Sequence, residues 1–184
     1  MVKKKAVFLD RDGVLSIPEF RDGRSFAPTT LAAFRLYDDA PTSLRKLKDA
    51  GFALIVVTNQ PDVGKGHISR ATLDEMHCMM ADLLPLDAIE VCTHTSEDAC
   101  LCRKPQPGMI LSSAAQLDID LAGSYMVGDR GSDVEAGKAA GCRTVFIDLT
   151  YTAETPPEAP NIIVASLESA VDWILADSIE TKKR

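Results

Sequence analysis

The chain has 184 residues, 46% hydrophobic and 26% charged, enough apolar content for the core of one domain and short for two. A formal net charge of −7 and an aromatic content of 5% argue against a broad nucleic-acid or anionic-membrane surface, while leaving room for a local basic pocket for a small anion. The opening MVKKKAVFLD reaches Asp10 after too few apolar residues for a signal peptide, and no later run could span a bilayer, so a cytoplasmic location is expected.

Short apolar, β-branched runs predict strands at 6–10 (AVFLD), 53–59 (ALIVVTN), 88–94 (AIEVCTH), 124–129 (SYMVGD) and 144–148 (TVFID). Between them, helical periodicity predicts helices over 41–50, 69–84, 107–118, 132–140 and 166–177. Gly51 stands where a helix C-cap is wanted, Ser69 where an N-cap is, and Pro107 just inside the start of the fourth helix. The proline-rich stretch at 152–161 reads as a loop. Strands apolar on both faces and alternating with helices predict a single-domain, doubly wound α/β fold with a parallel sheet. The domain is expected to cover 1–177, with 178–184 as a C-terminal tail frayed at its end.

In such sheets ligands bind beyond the carboxyl ends of the strands. The first, second and fourth predicted strands end in Asp10, Thr58 and Asp129. DRDGV places Asp10 and Asp12 two apart at a turn that Gly13 can sharpen, a pattern that alone serves turns as readily as catalysis. GDRGSD brings Asp129 and Asp133 toward the same edge. Carboxylates converging there repel by roughly 4 kcal/mol per close pair at an effective dielectric of about 20. A hard divalent cation relieves that repulsion, and oxygen ligands with spare water positions favour magnesium.

Thr58 and its neighbouring amides offer neutral donors to phosphoryl oxygens, and Lys104 in CRKP offers a compact positive charge. Asn59 and Gln60 can hydrogen-bond substrate oxygens or tie their loop together. Arg103 and Arg130 carry forks suited to a second phosphate or a sugar hydroxyl, the alternative being solvated surface arginines. His67 and His77 group with none of the carboxylates and read as surface or satisfied residues.

CTHTSEDACLC at 92–102 crowds three cysteines and a histidine together, in a chain whose five cysteines are an odd count. In a reducing compartment such a cluster favours a metal over a disulfide framework. Extended segments place residues i and i+2 on one face, so Cys92 with His94 and Cys100 with Cys102 form two prongs able to close a tetrahedron around zinc. No ligand position stays open, so the expected role is structural; free thiols or a labile bridge are the alternative. Cys78 and Cys142 read as small apolar residues of the interior.

Four motifs then stand in order: DxDGV at 10–14, an apolar pair before Thr-Asn at 56–59, a lysine before proline at 104, and GDxxxD at 128–133. This set, over about residues 5–150, resembles the haloacid dehalogenase (HAD) superfamily of phosphohydrolases. The resemblance implies that Asp10 attacks phosphorus, that Asp12 serves as acid and then base, and that Asp10, the Asp12 carbonyl and Asp129 hold magnesium. It gives Thr58 and Lys104 the transferring group, and Asp133 an indirect or water-mediated part. The arrangement C-x-H…C-x-C-R-K-P resembles the subfamily of heptose 1,7-bisphosphate phosphatases and histidinol-phosphatases, in which a zinc loop stands in place of a large cap domain.

The loops depart from that subfamily: LSIPEF lacks the usual Asn, Pro61-Asp62 and Lys65 replace Ser-Gly and Arg, Arg130 replaces Lys, and the zinc loop is short. The expected function is magnesium-dependent hydrolysis of a small phosphorylated metabolite, foremost the 7-phosphate of D-glycero-D-manno-heptose 1,7-bisphosphate. Histidinol phosphate hydrolysis and a non-catalytic phosphate-binding module are the alternatives. A monomer without nucleic-acid or membrane partners is expected.

Overall fold

The computed structural model describes residues 3–181. Its central strand, β1 (Ala6–Leu9), is fully buried along its length, and alternate side chains feed different cores. Val7 and Leu9 join one apolar cluster and Ala6 and Phe8 the other, the period-2 alternation of a strand covered on both faces. Burying a side chain such as Leu9 or Phe8 contributes about 1.5–3 kcal/mol relative to exposure.

Following the chain, an antiparallel hairpin forms from β2 (Glu19–Arg21) and β3 (Arg24–Phe26). Next come α1 (Ala40–Asp49), β4 (Ala53–Asn59), the single turn α2 (Pro61–Gly64), α3 (Arg70–Leu83) and β5 (Ala88–Cys92). The second half holds α4 (Gly108–Leu117), β6 (Tyr125–Gly128), α5 (Gly131–Ala140), β7 (Arg143–Ile147), β8 (Ile162–Val164) and α6 (Leu167–Thr181).

Six strands pair in the order β5-β4-β1-β6-β7-β8, every neighbouring pair parallel. α1, α3 and α6 cover one face through residues such as Leu44, Met76 and Val171, and α4 and α5 cover the other through Ile110 and Ala136. Successive strands step outward from β1 through β4 to β5, and the chain then returns to β1's other side with β6. The crevice between β1 and β6 is therefore the topological switch point, where ligands bind in open α/β sheets. Register places Leu9 beside Val127, so Asp10 and Asp129 both lie beyond the ends of paired strands.

The doubly wound α/β expectation holds, and all five predicted strands are present: β4 keeps its predicted bounds, β1, β5 and β6 are shorter by one or two residues, and β7 is displaced by one residue. The β2–β3 hairpin and β8 escaped sequence reading. Only Ser25 of the hairpin is buried, so it carries no apolar run, and β8 is a three-residue edge strand whose Ile-Ile-Val run is short and only partly buried. Pro107 caps α4 from outside, its first helical residue being Gly108. The last helix continues to Thr181 beyond the expected boundary at 177, with Ser178 buried and donating to the Leu175 carbonyl at 2.9 Å. Of the expected tail, 182–184 lie outside the described residues. Among the described residues no helix is long and apolar enough to cross a membrane.

Candidate active site

The chain leaves β1 at Asp10, whose N–H still donates to Val127 O at 2.9 Å. It turns at once: Leu15 and Ser16 both donate to Arg11 O at 2.8 Å, and Gly13 donates to Ser16 O at 2.8 Å. Gly13 adopts φ +94, and a Cβ there would lie 2.1 Å from Asp129 Oδ2. Only glycine allows the backbone of the first motif to pack this tightly on the aspartate of the fourth.

Lys104 is the hinge of the site. Its side chain is buried, with Nζ 2.8 Å from Asp10 Oδ1 and 2.6 Å from Asp133 Oδ1. Burial opposes the ammonium, yet Asp10 and Asp133 together push its pKa above the ordinary lysine value. Asp133 also accepts the Arg130 N–H at 3.1 Å, which ties the first turn of α5 to the lysine. Its contact with Lys104 is direct.

One oxygen from each of Asp10, Asp129 and Asp133 lies within 4.8 Å of the others. Asp129 is 1% exposed; its Oδ2 accepts the Tyr151 hydroxyl at 2.6 Å, while its Oδ1 has no hydrogen-bond partner. Burial raises the Asp10 pKa to about 6, against the opposing pull of Lys104 and with added repulsion from Asp133 and Asp12. Burial, then the charges of Asp10 and Asp133, hold the Asp129 carboxyl well above the usual carboxylate range. A buried carboxylate oxygen without a donor, among acids that resist ionising together, is chemistry that a hard dication satisfies.

Asp12 is gripped from three sides. Arg11 reaches it through Nη2 at 2.8 Å and Nε at 3.1 Å, Ser16 Oγ donates at 2.9 Å, and Gln60 Nε2 donates at 2.8 Å. The same Gln60 nitrogen donates to Thr58 Oγ1 at 2.8 Å, linking the ends of β4 and β1. Arg11 is fully buried, lies over the Phe34 ring at 5.4 Å, and meets His77 Nε2 at 3.2 Å through Nη1. Burial and Arg11 press the His77 pKa down to about 4, so the ring is a neutral acceptor.

Other expected contacts turn toward protein. Asn59 bonds both ways with the Lys104 backbone, at 3.0 Å each. Arg103 donates to His94 O at 3.3 Å. Arg130 donates through Nη2 to Ser25 O at 2.7 Å and Ser25 Oγ at 2.6 Å, and lies 3.8 Å from Glu154. Sequence reasoning missed Tyr151, Arg11 and the link from His77 to Asp12. Arg11 stood between two more conspicuous aspartates, and Tyr151 lies in an irregular loop without a motif.

The Cys/His cluster closes as expected. Sulfur separations are 3.7 Å for Cys92–Cys100, 3.2 Å for Cys92–Cys102 and 3.4 Å for Cys100–Cys102, and His94 Nδ1 lies 3.6 Å from Cys92 and 3.2 Å from Cys102. Tetrahedral zinc with bonds of about 2.3 Å to sulfur and about 2.0 Å to nitrogen has edges of about 3.5–3.8 Å, close to this set. All five cysteines are free of disulfides. The second prong runs directly through Arg103 into Lys104, so the cluster anchors the lysine's loop.

A family model described as HAD-hydrolase-like matches residues 101–170. The D-glycero-beta-D-manno-heptose-1,7-bisphosphate 7-phosphatase of Escherichia coli K12 is 37% identical, covering 92% of this chain and 87% of its own. Its counterpart of the same name in Salmonella typhi is 36% identical over 92% and 89%. The crystal structure of D,D-heptose 1.7-bisphosphate phosphatase from B. bronchiseptica, complexed with magnesium and phosphate, superposes with a TM-score of 0.80 at 29% identity, covering 94% of this chain and 99% of that one. The chain belongs to this family of HAD-type heptose bisphosphate phosphatases.

Proposed function

We propose that this protein is a magnesium-dependent phosphatase that removes the 7-phosphate of D-glycero-D-manno-heptose 1,7-bisphosphate through an aspartyl-phosphate on Asp10. The observation that carries this reading is the Lys104 ammonium, 2.8 Å from Asp10 and 2.6 Å from Asp133, beside an Asp129 oxygen that lacks any donor. A phosphate-binding module has no use for a buried nucleophile and a separately held acid. The relatives' names supply the sugar.

The carboxylates of Asp10 and Asp129 with the Asp12 carbonyl would hold magnesium, which supplies charge compensation for an approaching ester dianion. An Asp10 carboxylate oxygen bonds to phosphorus as the bond from phosphorus to the sugar oxygen breaks, and Asp12 gives its proton to that oxygen. Asp12 then takes a proton from water, whose oxygen displaces the Asp10 carboxylate and releases phosphate. Lys104 and Thr58 hold the phosphoryl oxygens, and Gln60 couples Thr58 to Asp12, so phosphate anchor and acid stay in register. Arg103, Arg130 and Asn59 serve the site through their protein contacts, Arg103 lying nearest the zinc loop and free to exchange His94 O for substrate oxygens.

Cys92, His94, Cys100 and Cys102 hold a structural zinc that fixes the Lys104 loop. We place the enzyme in the cytoplasm as a monomer without nucleic-acid or membrane partners, in keeping with its net charge of −7 and its unpaired thiols. Phosphate release should be compared for both heptose bisphosphate anomers, histidinol phosphate and a generic sugar phosphate, with and without magnesium. The expected result is the highest kcat/KM on the β anomer and loss of turnover in Asp10→Asn. No magnesium-dependent release from any of them would sink the reading.

A further inference from the structure

The two oxygens of Asp129 stand in different surroundings. Oδ2 accepts the Tyr151 hydroxyl at 2.6 Å and packs against the Gly13 backbone, where a Cβ would come within 2.1 Å. Oδ1 is buried and without a hydrogen-bond partner. The Tyr151 ring is fixed independently of the carboxylate: it stacks on Phe20 with centroids 5.7 Å apart and an interplanar angle of 23°. Its loop is pinned to the hairpin by Ala153 N–H donating to Gly23 O at 3.1 Å.

We propose that Tyr151 is a positioning residue that selects magnesium over calcium by confining Asp129 to one coordinating oxygen. Magnesium demands near-octahedral geometry with short bonds and takes carboxylates one oxygen at a time, whereas calcium accepts about 6–8 oxygens and readily takes a carboxylate through both. With the phenol and the Gly13 backbone on Oδ2, chelation by Asp129 is closed and Oδ1 is the oxygen left to coordinate. The inference rests on the magnesium reading above and deepens it, because the β2–β3 hairpin, through Phe20, then helps to set which cation the site accepts.

Tyr151→Phe keeps the ring and its stack and removes only the hydroxyl. The test titrates magnesium and calcium separately, by calorimetry, into zinc-loaded protein freed of both. Groups that orient metal ligands are worth about 10- to 100-fold in metal affinity, so the ratio of calcium to magnesium dissociation constants should fall about tenfold or more in the variant. A merely structural role would lower the melting temperature and both affinities together. A ratio unchanged within about twofold overturns the proposal. Phe20→Ala, which frees the ring and leaves the hydroxyl, should shift the ratio less and in the same direction; if Tyr151→Phe does not fold, an unchanged ratio in Phe20→Ala overturns it instead. Binding is read without turnover, so a shifted ratio in a protein that hydrolyses none of the phosphate esters upholds this inference against the functional reading. An unchanged ratio in an active phosphatase does the reverse, and a native protein that binds neither cation overturns both.

Discussion

Asn59 and Lys104 form a closed ring of two hydrogen bonds: the Asn59 amide donates to Lys104 O at 3.0 Å, and Lys104 N–H donates to Asn59 Oδ1 at 3.0 Å. The end of β4 thereby fixes the backbone from which the buried lysine rises, 45 residues further along the chain. A catalytic group displaced by about 1 Å can cost on the order of 10²-fold in rate. Asn59→Ala should therefore lower kcat by about that factor with the fold retained, and Asn59→Asp, which keeps the acceptor, should lose less. Steady-state kinetics beside circular dichroism checks this, and an unchanged kcat would remove the clamp from the mechanism.

The buried acids make stability depend on pH in a direction that magnesium should reverse. Asp10, with its pKa raised to about 6, and Asp129, also raised, are favoured protonated in the fold. Their contribution is fully present below the unfolded carboxylate pKa of about 4 and is lost as pH rises through about 6 and beyond. Magnesium should thus raise the melting temperature more at pH 7.5 than at pH 5, and Asp129→Asn should shrink that difference. Thermal melts at the two pH values with and without magnesium measure it; equal shifts would contradict the assignment.

His77 behaves oppositely. Its pKa, pressed down to about 4, makes the neutral ring part of the fold, a contribution present above about 6.5 and lost as pH falls toward 4. His77→Ala leaves the buried Arg11 Nη1 without this partner, a loss worth about 1–3 kcal/mol. Denaturant unfolding should show that loss at pH 7.5 and a smaller one at pH 4.5. His77→Gln, which supplies an acceptor oxygen, should recover part of it.

For the zinc cluster, metal analysis of freshly isolated protein should find about one zinc per chain. Cys100→Ser or Cys102→Ser should release it and lower the melting temperature, because structural zinc binding is itself folding free energy. Activity should fall as well, since Cys102 and Lys104 are separated only by Arg103. Full activity in a zinc-free variant would show the lysine loop standing on its own.

Residues 6–10, 53–59 and 124–129 announced themselves as buried strands ending in polar groups, because a strand covered on both faces must be apolar throughout and must stop where chemistry begins. The zinc cluster was equally plain, since its four donors lie within 92–102 and local extension alone pairs them. These features are local, written in spacing and composition, and the chain's order of motifs sufficed to determine them. Tertiary structure alone decided that Tyr151 caps Asp129, that Arg11 joins His77 to Asp12, and that Arg130 turns to Ser25, 105 residues away. Such contacts depend on strand register and on how an irregular loop and a mostly exposed hairpin settle against the sheet, and no periodicity along the chain encodes them.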